Sequence, residues 1–516
     1  MFSAVRSLAA VSRLTPIVFG TRTESWKIVS ICRLRMFASE RHSEIEQMRS
    51  SYTRICEKAQ TVASDMEPVN PFAVFVNNEV EMSKVNIYGF DYDYTLATYT
   101  QALDEFIFNE ARDWMVKQLK YPEDLFSFNY DSDFAIRGLH FDAKRGYLMK
   151  VDAYHNIQID TVHLGLTPVS REDVFKAYSG TYIPSSTLKH RPSSSTSWMF
   201  QLMDFFMLPE FYLLSCVIEF FERQRISYQP IHVFHDVTSS VARVHKSGLL
   251  GLSIMGNPGK YIHKDLSLSN FLNKLVSNGK KLFVISNSSA AFIDRGLRFL
   301  IGDHWREIFD VIISRANKPG FFQLDSSQFR HMDEVGGFKD WERVRSLHRG
   351  HIYDGGSLVE LMALKKWNSQ NILYFGDHVY SDLADVANTQ GWTTAAVIPE
   401  LEHEINVNNT GSFRLCMTKL RELEKMINRY QHVTSTEAKC LLHEWLAERN
   451  ELRIQSKVAF NRPFGSIFRS FHNPSYFTRR LSQYAVLYTS RVANLGEYPL
   501  DHMFYPKRSA LPHEAG

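Results

Sequence analysis

The apolar residues of this 516-residue chain fall into short runs of strand length, each closed by a polar turn. Five such runs lie near residues 85–90, 282–285, 309–313, 372–375 and 393–398, with helical spacing between them. Short apolar runs bounded by turns are typical of buried strands, and strands that alternate with helices favour a parallel sheet. We therefore expect an α/β fold with a Rossmann-like parallel sheet.

Two carboxylates directly follow the first of these runs. Asp91 and Asp93 lie two residues apart, and because side chains alternate along a strand, both should project from the same side of the sheet end. Such a pair suits phosphoryl transfer: Asp91 would attack phosphorus and form an aspartyl phosphate, while Asp93 would move protons. A helix cap uses the same residue types, so the rest of the chain must decide between the two interpretations.

The second and third runs are followed by groups that could hold a phosphoryl group. Ser286, Asn287 and Ser288 close the run at 282–285, at a strand-to-helix turn whose free N–H groups could bind an anion. Lys318 follows the run at 309–313 and precedes a proline, and its charge could offset phosphate and carboxylate oxygens. Taken alone, the Ser-Asn-Ser pattern fits a helix cap equally well, and the lysine fits a surface residue. Both assignments therefore depend on the order of the motifs in the chain.

An acidic cluster follows the fourth run. Gly376, Asp377 and His378 close it, and Asp382 comes four residues later. Mg²⁺ favours carboxylate and water oxygens and usually takes one or two protein carboxylates. We expect Asp91, the backbone carbonyl of Asp93, and Asp377 as its ligands. Asp382 would be a supporting or alternative ligand, and His378 a hydrogen-bonding residue of the loop.

These four motifs, in this order, resemble the haloacid dehalogenase superfamily. The acidic residue two positions after the nucleophile makes the chain similar to the phosphatases of this superfamily. The dehalogenases lack that proton-transfer residue. Longer stretches resemble the 5'-nucleotidase domain-containing proteins, which are relatives of the cytosolic purine 5'-nucleotidase. The stretches are residues 89–97, 137–142, 150–154, 208–215, 353–357, 376–378, 464–470 and 511–514.

The resemblance implies a magnesium-dependent phosphomonoester hydrolase built on a haloacid dehalogenase core. Its substrate would be a phosphorylated small molecule such as a nucleoside monophosphate, and the chain would form a homo-oligomer. The purine enzyme carries an Arg, an Asp and a Tyr, which help to recognise the nucleotide, where this chain has Thr238, Ala242 and Lys246. His245 is retained as a candidate substrate-binding residue.

That departure leaves two function classes open. Charge-assisted contacts are each worth roughly 1.5–3 kcal/mol, so the loss of two would weaken nucleotide binding by orders of magnitude. The first class is a phosphatase of the 5'-nucleotidase type that acts through an aspartyl phosphate. The alternative is a catalytically weak nucleotidase-like protein with a binding or scaffold role.

The distance between the first two motifs predicts the domain organisation. About 190 residues separate them, far more than one crossover helix needs, so residues 101–265 should form an inserted cap. Residues 41–100 would begin the core, residues 266–405 would complete it, and residues 406–516 would form a helical region, with a subunit interface implied by the resemblance. Within the cap, 138–142 and 147–152 indicate a hairpin, and 207–221 indicate a helix.

Charge and the N-terminal residues bear on partners and localisation. Lys and Arg number 59 against 56 for Asp and Glu, which gives no reason to expect nucleic-acid binding, and no apolar stretch reaches the roughly 18 residues of a membrane span. Residues 1–40 are rich in Arg and Ser and poor in acids, as in a mitochondrial transit peptide. The alternative is a basic tail on a cytoplasmic protein.

Overall fold

Strands and helices alternate along most of the chain. The computed structural model describes residues 22–188, 198–323, 327–332, 340–508 and 513–514, with side chains from residue 44 onward except 389 and 390. In chain order, the strands are β1 (Phe75–Val76), β2 (Val80–Glu81), β3 (Ile87–Phe90), β4 (Leu139–Asp142), β5 (Tyr147–Lys150), β6 (His163–Leu164), β7 (Thr167–Pro168), β8 (Met199–Gln201), β9 (Lys281–Ile285), β10 (Val311–Ser314), β11 (Phe329–His331), β12 (Ile352–Gly355), β13 (Ile372–Gly376), β14 (Thr393–Val397), β15 (Arg469–Ser470), β16 (Asn473–Pro474), β17 (Leu487–Thr489) and β18 (Met503–Phe504). The α-helices are α1 (Arg22–Asp65), α2 (Gln101–Lys117), α3 (Arg171–Tyr178), α4 (Leu208–Gln224), α5 (Pro230–Lys246), α6 (Leu249–Gly256), α7 (Pro258–Tyr261), α8 (Leu266–Ser277), α9 (Ala290–Ile301), α10 (Gly320–Gln323), α11 (Leu358–Lys365), α12 (Asp385–Gln390), α13 (Glu400–Asn409), α14 (Gly411–Tyr430), α15 (Thr436–Val458) and α16 (Tyr476–Tyr484).

The central sheet has the order β1-β17-β14-β13-β3-β9-β10-β12-β11 in the described part of the chain. The neighbours from β17 to β12 pair in parallel, and the two edge strands pair antiparallel. Strands β3, β10 and β13 are buried along their whole length, as parallel strands covered on both faces require. The α/β fold and its parallel sheet are confirmed, and the five predicted strands are β3, β9, β10, β13 and β14.

The connections between these strands place polar turns along one edge of the sheet. Helix α9 leads from β9 to β10, and a π-helical turn (Val379–Ala384) followed by α12 leads from β13 to β14. All four strands β13, β3, β9 and β10 are adjacent and parallel, so their carboxyl ends lie side by side. Ligands of open α/β sheets bind outside such strand ends.

The segment between β3 and β9 contains a second layer with its own sheet. Strands β4 and β5 form the predicted hairpin, and they belong to a five-stranded antiparallel sheet of order β7-β6-β5-β4-β8. Helix α4 covers the predicted helical segment and packs with α2 and α5. Its apolar residues Phe211, Leu214 and Val217 are buried in the same hydrophobic core as Leu103 and Val241.

The C-terminal region contains more than helices. Strand β17 pairs in parallel with β14 and so joins the central sheet, although its three residues are too few for a periodic pattern. The chain divides into two compact units: residues 67–414 with 453–516, and residues up to 66 with 415–452. In the second unit α1 and parts of α14 and α15 pack around Met48, Leu423, Met426 and Trp445. The buried residues that α14 contributes, Cys416, Leu420, Leu423 and Met426, recur at helical spacing and so lie on one face of the helix.

Two further predictions concern the N-terminal segment and membrane spans. Residues 1–21 of the predicted transit peptide lie outside the described residues, and residues 22–40 lie in the first half of α1. None of the helices in the described ranges is both long enough and apolar enough to cross a membrane.

Candidate active site

The predicted chemical residues meet at one edge of the central sheet. Asp91 follows β3 directly, Ser286 follows β9, Asp377 follows β13, and Lys318 lies four residues beyond β10. Because these four strands are adjacent, segments almost 300 residues apart in sequence come together. The sheet topology, rather than any single motif, therefore assembles the site.

A cavity of about 570 Å³ opens over these strand ends. Its walls include all the predicted site residues except Ser286, which is fully buried and accepts the N–H of Ser288 on its Oγ at 3.0 Å. The lining residues include Asp91, Asp93, Tyr94, Tyr99, Asp204, Phe206, His245, Lys246, Asn287, Ser288, Lys318, Asp377, His378 and Asp382.

Lys318 joins two carboxylates at the floor of the cavity. Its Nζ lies 2.6 Å from Oδ1 of Asp91 and 2.7 Å from Oδ1 of Asp382. Burial alone would lower the pKa of Lys318, but the two carboxylates hold it well above its ordinary value. The lysine therefore stays charged and can offset negative charge on an incoming phosphoryl group.

Asp91 and Asp93 have different surroundings. Burial raises the pKa of Asp91 to about 8, against the opposing effect of the Lys318 charge. Asp93 accepts hydrogen bonds from the Tyr99 hydroxyl at 2.5 Å and from the Ser288 hydroxyl at 2.7 Å. Burial also raises the pKa of Asp93, so its carboxyl is suited to carry a proton.

Asn287 fixes the turn after β9 to the loop that carries Lys318. Its Oδ1 accepts the backbone N–H of Lys318 at 2.6 Å, and its Nδ2 donates to the Lys318 carbonyl at 3.1 Å. The predicted phosphate contact of Asn287 would therefore come from its backbone, because the side-chain amide is already bonded. This pair of bonds sets the distance between the serine turn and the lysine.

A group of buried carboxylates could hold a divalent ion. One carboxylate oxygen from each of Asp91, Asp377 and Asp382 lies within 4.8 Å of the other two. Hard oxygen donors of this kind suit Mg²⁺. Both oxygens of Asp382 are bonded, Oδ1 to Lys318 and Oδ2 to the backbone N–H of His378 at 3.2 Å. At Asp91, by contrast, Lys318 and the N–H of Tyr92 both bond to Oδ1. This leaves Oδ2 of Asp91 and the Asp377 carboxylate as the freer donors.

The loop after β13 is shaped around Asp382. A Cβ on Gly376 would lie 2.3 Å from the Cβ of Asp382, so only glycine fits there. The Nδ1 of His378 accepts the backbone N–H groups of Tyr380 and Ser381, at 3.2 and 3.0 Å. The histidine thus caps its own π-helical turn, in keeping with a hydrogen-bonding role in the loop.

The segment between β3 and β9, which is the predicted cap, lines the cavity with residues that the sequence motifs did not indicate. Asp204 accepts the N–H of Phe206 at 3.0 Å, and the Phe206 ring packs edge-on against His245 at 5.1 Å. Burial lowers the pKa of His245, which favours its neutral form. Asp204 and Phe206 belong to no motif, so only their position in the cavity wall reveals them.

Thr238 faces away from the cavity. Its hydroxyl donates to Oε1 of Glu210 at 2.6 Å, and neither Thr238 nor Ala242 lines the cavity. Burial raises the pKa of Glu210 to about 7. The uncharged threonine therefore bonds to this buried acid, and position 238 lies outside the cavity wall.

Comparison with known proteins gives the family. A model of the 5' nucleotidase family matches residues 74–516. The 5'-nucleotidase domain-containing protein 2 of Rattus norvegicus and that of Homo sapiens are each 43% identical over 448 residues, which is 87% of this chain and 81% and 86% of theirs. Among solved structures, a 2-haloacid dehalogenase from Pseudomonas syringae pv. Tomato aligns over 61% of this chain and 87% of its own, with 12% identity and a TM-score of 0.23.

The carboxylate pair, the lysine and the acidic loop meet at the strand ends and form a site suited to a phosphoryl group. The chain belongs to the 5' nucleotidase family.

Proposed function

We propose that this protein is a magnesium-dependent phosphomonoester hydrolase that acts through an aspartyl phosphate on Asp91. One observation carries the proposal: two carboxylates two residues apart are held in different environments at the floor of one cavity. Asp91 lies against the charged Lys318, whereas Asp93 lies against two hydroxyl groups. Environments that differ in this way separate a nucleophile from a proton carrier.

The first step forms the covalent intermediate. A carboxylate oxygen of Asp91 attacks phosphorus, and the bond between phosphorus and the ester oxygen breaks. The protonated carboxyl of Asp93 gives its proton to the departing oxygen, so the product leaves as an alcohol. Lys318, which lines the cavity, offsets the charge that the phosphoryl oxygens gain, and the Ser286 hydroxyl supports the serine turn from below the cavity wall.

The second step releases phosphate. Asp93, now ionised, takes a proton from a water molecule, whose oxygen attacks phosphorus. The bond between phosphorus and the Asp91 oxygen breaks, which restores both carboxyl groups to their starting states. Tyr99 and Ser288 hold Asp93 in place through both steps, because each donates to a different oxygen of its carboxylate.

Asp91 and Asp377 would hold Mg²⁺, with Asp382 close by and the Asp93 carbonyl as the further ligand that the sequence predicts. The ion would supply positive charge that neutralises phosphate oxygens and favours the ionised form of Asp91. Without that charge, burial keeps the pKa of Asp91 near 8. The donor set therefore fits a divalent cation.

The cavity is consistent with a small phosphate ester. Its volume of about 570 Å³ lies within the range of about 300–1,000 Å³ typical of small-molecule sites. Aromatic residues Tyr94, Tyr99 and Phe206 line it, which suits a flat leaving group such as a nucleoside. A nucleoside monophosphate is thus one member of the substrate class that we propose.

Turnover by purified protein tests the proposal. We expect Mg²⁺-dependent release of phosphate from a panel of nucleoside monophosphates or from an aryl phosphate, and background release by Asp91→Asn. Asp236→Asn is the matched control, because Asp236 is a cap carboxylate that accepts a bond from Tyr121 and does not line the cavity. Equal activity of wild type and Asp91→Asn would instead favour a binding or scaffold protein.

The covalent intermediate has its own signature. The wild-type chain should be incubated briefly with an ester that is labelled in its phosphoryl group and then quenched with acid. We expect label to remain on the chain and hydroxylamine to remove it. Acyl phosphates react with hydroxylamine, whereas phosphate esters of serine do not. If the protein turns over its substrate but carries no such label, even when it is quenched in less time than one turnover takes, the result would count against Asp91 as nucleophile.

A further inference from the structure

Arg137 connects the cap to the loop that carries Asp377. It lies two residues before β4, and its side chain is completely buried. Its Nε and Nη2 donate to Oε1 and Oε2 of Glu400, both at 2.7 Å. Its Nη1 donates to the backbone carbonyl of Asp377 at 3.0 Å and lies 3.9 Å from the Oδ2 of the same residue. One cap residue therefore bonds to two separate segments of the core.

The surroundings of the guanidinium fix its orientation. The two parallel bonds to Glu400 form a planar fork, which constrains an arginine far more than a lysine. The Phe205 ring lies 3.8 Å from the guanidinium carbon on one face. With the fork and the ring in place, Nη1 can point only toward Asp377. A rotation of Arg137 would break all three hydrogen bonds together.

The two core partners lie at the ends of neighbouring strands. Asp377 follows β13, and Glu400 begins α13 three residues after β14. Arg137 thus ties these adjacent strand ends to each other as well as to the cap. Asp377 receives both a hydrogen bond on its carbonyl and a nearby positive charge on its carboxylate side. Both effects act on the residue whose carboxylate would bind the metal.

We infer that Arg137 is a positioning residue for Asp377 and couples the cap to Mg²⁺ binding. The inference rests on the proposed function, because it requires the metal site described there. The alternative is a buried ion pair that only stabilises the fold. The two differ in what they predict: a purely structural pair affects unfolding, whereas a positioning residue also affects the affinity for Mg²⁺ in the folded protein.

Mg²⁺ affinity of the full-length chain without substrate, measured by isothermal titration calorimetry, separates these roles. We expect Arg137→Met to weaken Mg²⁺ binding by about 10–100-fold, as is typical when a residue that orients a metal ligand is lost. Arg137→Lys keeps the charge but cannot form the fork, so it should give an intermediate loss. Glu400→Gln leaves the arginine in place and should give a smaller loss.

Arg145→Met is the matched control. Arg145 is also in the cap, and it also pairs with a carboxylate, Asp142 at 3.0 Å, and with a backbone carbonyl, that of Ala177 at 2.8 Å. It has no bond to the loop of Asp377. We expect this variant to bind Mg²⁺ with the wild-type Kd.

The outcomes distinguish the inference from the proposed function. If the wild-type chain binds no Mg²⁺, the proposed metal site fails, and the inference fails with it. If the wild type binds Mg²⁺ and folded Arg137→Met and Arg137→Lys bind it equally well, only the inference is overturned. An equal loss in Arg145→Met would also overturn it. If Arg137→Met does not fold, the lysine and Glu400→Gln variants decide the question.

Discussion

At the scale of single residues, the difference between Asp91 and Asp93 has a consequence for leaving groups. Asp93→Asn removes the proton donor but keeps an oxygen that can accept from Tyr99 or Ser288. We expect kcat/KM on an alkyl phosphate, which reports the step that forms the intermediate, to fall by roughly 10²–10⁴-fold, because an alkoxide needs the proton. The fall should be much smaller for p-nitrophenyl phosphate, whose phenolate leaves unprotonated.

The kcat/KM values of the wild type and Asp93→Asn on both esters test this role. Tyr99→Phe is the companion variant, since it removes one donor to Asp93 and leaves the carboxyl in place. It should slow both esters to a similar degree. Losses in Asp93→Asn that are equal for the two esters would contradict a proton-donor role for Asp93.

Asp204 is the second residue with a specific consequence, because it places a carboxylate on the cap side of the cavity. No ion pair among the described residues involves it, and the N–H of Phe206 is its hydrogen-bond donor. A leaving group with a negative charge would be repelled there, and one with a positive charge attracted. Such an interaction is worth about 1 kcal/mol at 4 Å in water, or about fivefold in rate.

Two aryl phosphates of similar size test this charge selection: 4-(aminomethyl)phenyl phosphate and 4-carboxyphenyl phosphate. We expect the wild type to prefer the cationic ester in kcat/KM, and Asp204→Asn to reduce that preference about 25-fold, about fivefold from each ester. Asp236→Asn, a cap carboxylate outside the cavity, should leave the ratio unchanged. An unchanged ratio in Asp204→Asn would mean that the leaving group does not approach this carboxylate.

At the scale of elements, a buried lysine fastens strand β5 to the C-terminal segment. The Nζ of Lys150 donates to the backbone carbonyls of Phe464, Ser466 and Arg469, the first at 3.2 Å. An ammonium group has three protons, so its hydrogen-bonding capacity is filled. Ser466 in turn donates to Glu404 at 2.6 Å, which extends the connection to α13.

Removing this lysine should destabilise the protein strongly. Lys150→Met leaves three carbonyls without their donor, and we expect the free energy of unfolding to fall by about 3–5 kcal/mol. Urea unfolding followed by circular dichroism measures the change. Lys144→Met, whose ammonium lies 4.7 Å from the Trp198 ring in the same cap, should cost less than about 1 kcal/mol. Similar losses in both variants would show that the carbonyl cage contributes little.

At the scale of the whole molecule, the four motifs were predictable because each is local. A buried strand followed by a polar turn is visible in a few consecutive residues. Asp91, Ser286 and Asp377 each directly follow such a strand, as predicted. Arg137, Asp204 and Tyr99 were not predicted as site residues, because their roles depend on contacts between the cap and the core. Strand β17 was missed for a similar reason: three residues set no period, and its partner β14 lies some 90 residues earlier.

The whole molecule also determines how stability depends on pH and Mg²⁺. Burial raises the pKa of Asp91 to about 8, from an ordinary value of 3.8, and also raises those of Asp93 and Asp377. At pH values between 3.8 and about 8, the metal-free folded chain binds more protons than the unfolded chain. The contribution of these carboxyl groups to the stability of the folded chain is therefore greatest at low pH and is lost as the pH rises toward 8.

Mg²⁺ should reverse this trend, because it binds the ionised carboxylates and stabilises only the folded chain. We expect the rise in Tm on adding millimolar Mg²⁺ to be larger at pH 8 than at pH 5.5, with differential scanning fluorimetry as the measurement. Asp377→Asn should lose most of the rise at both pH values, which separates specific binding from a general salt effect. A rise that is the same at both pH values, or that persists in Asp377→Asn, would show that these buried carboxylates are not the groups that bind the ion.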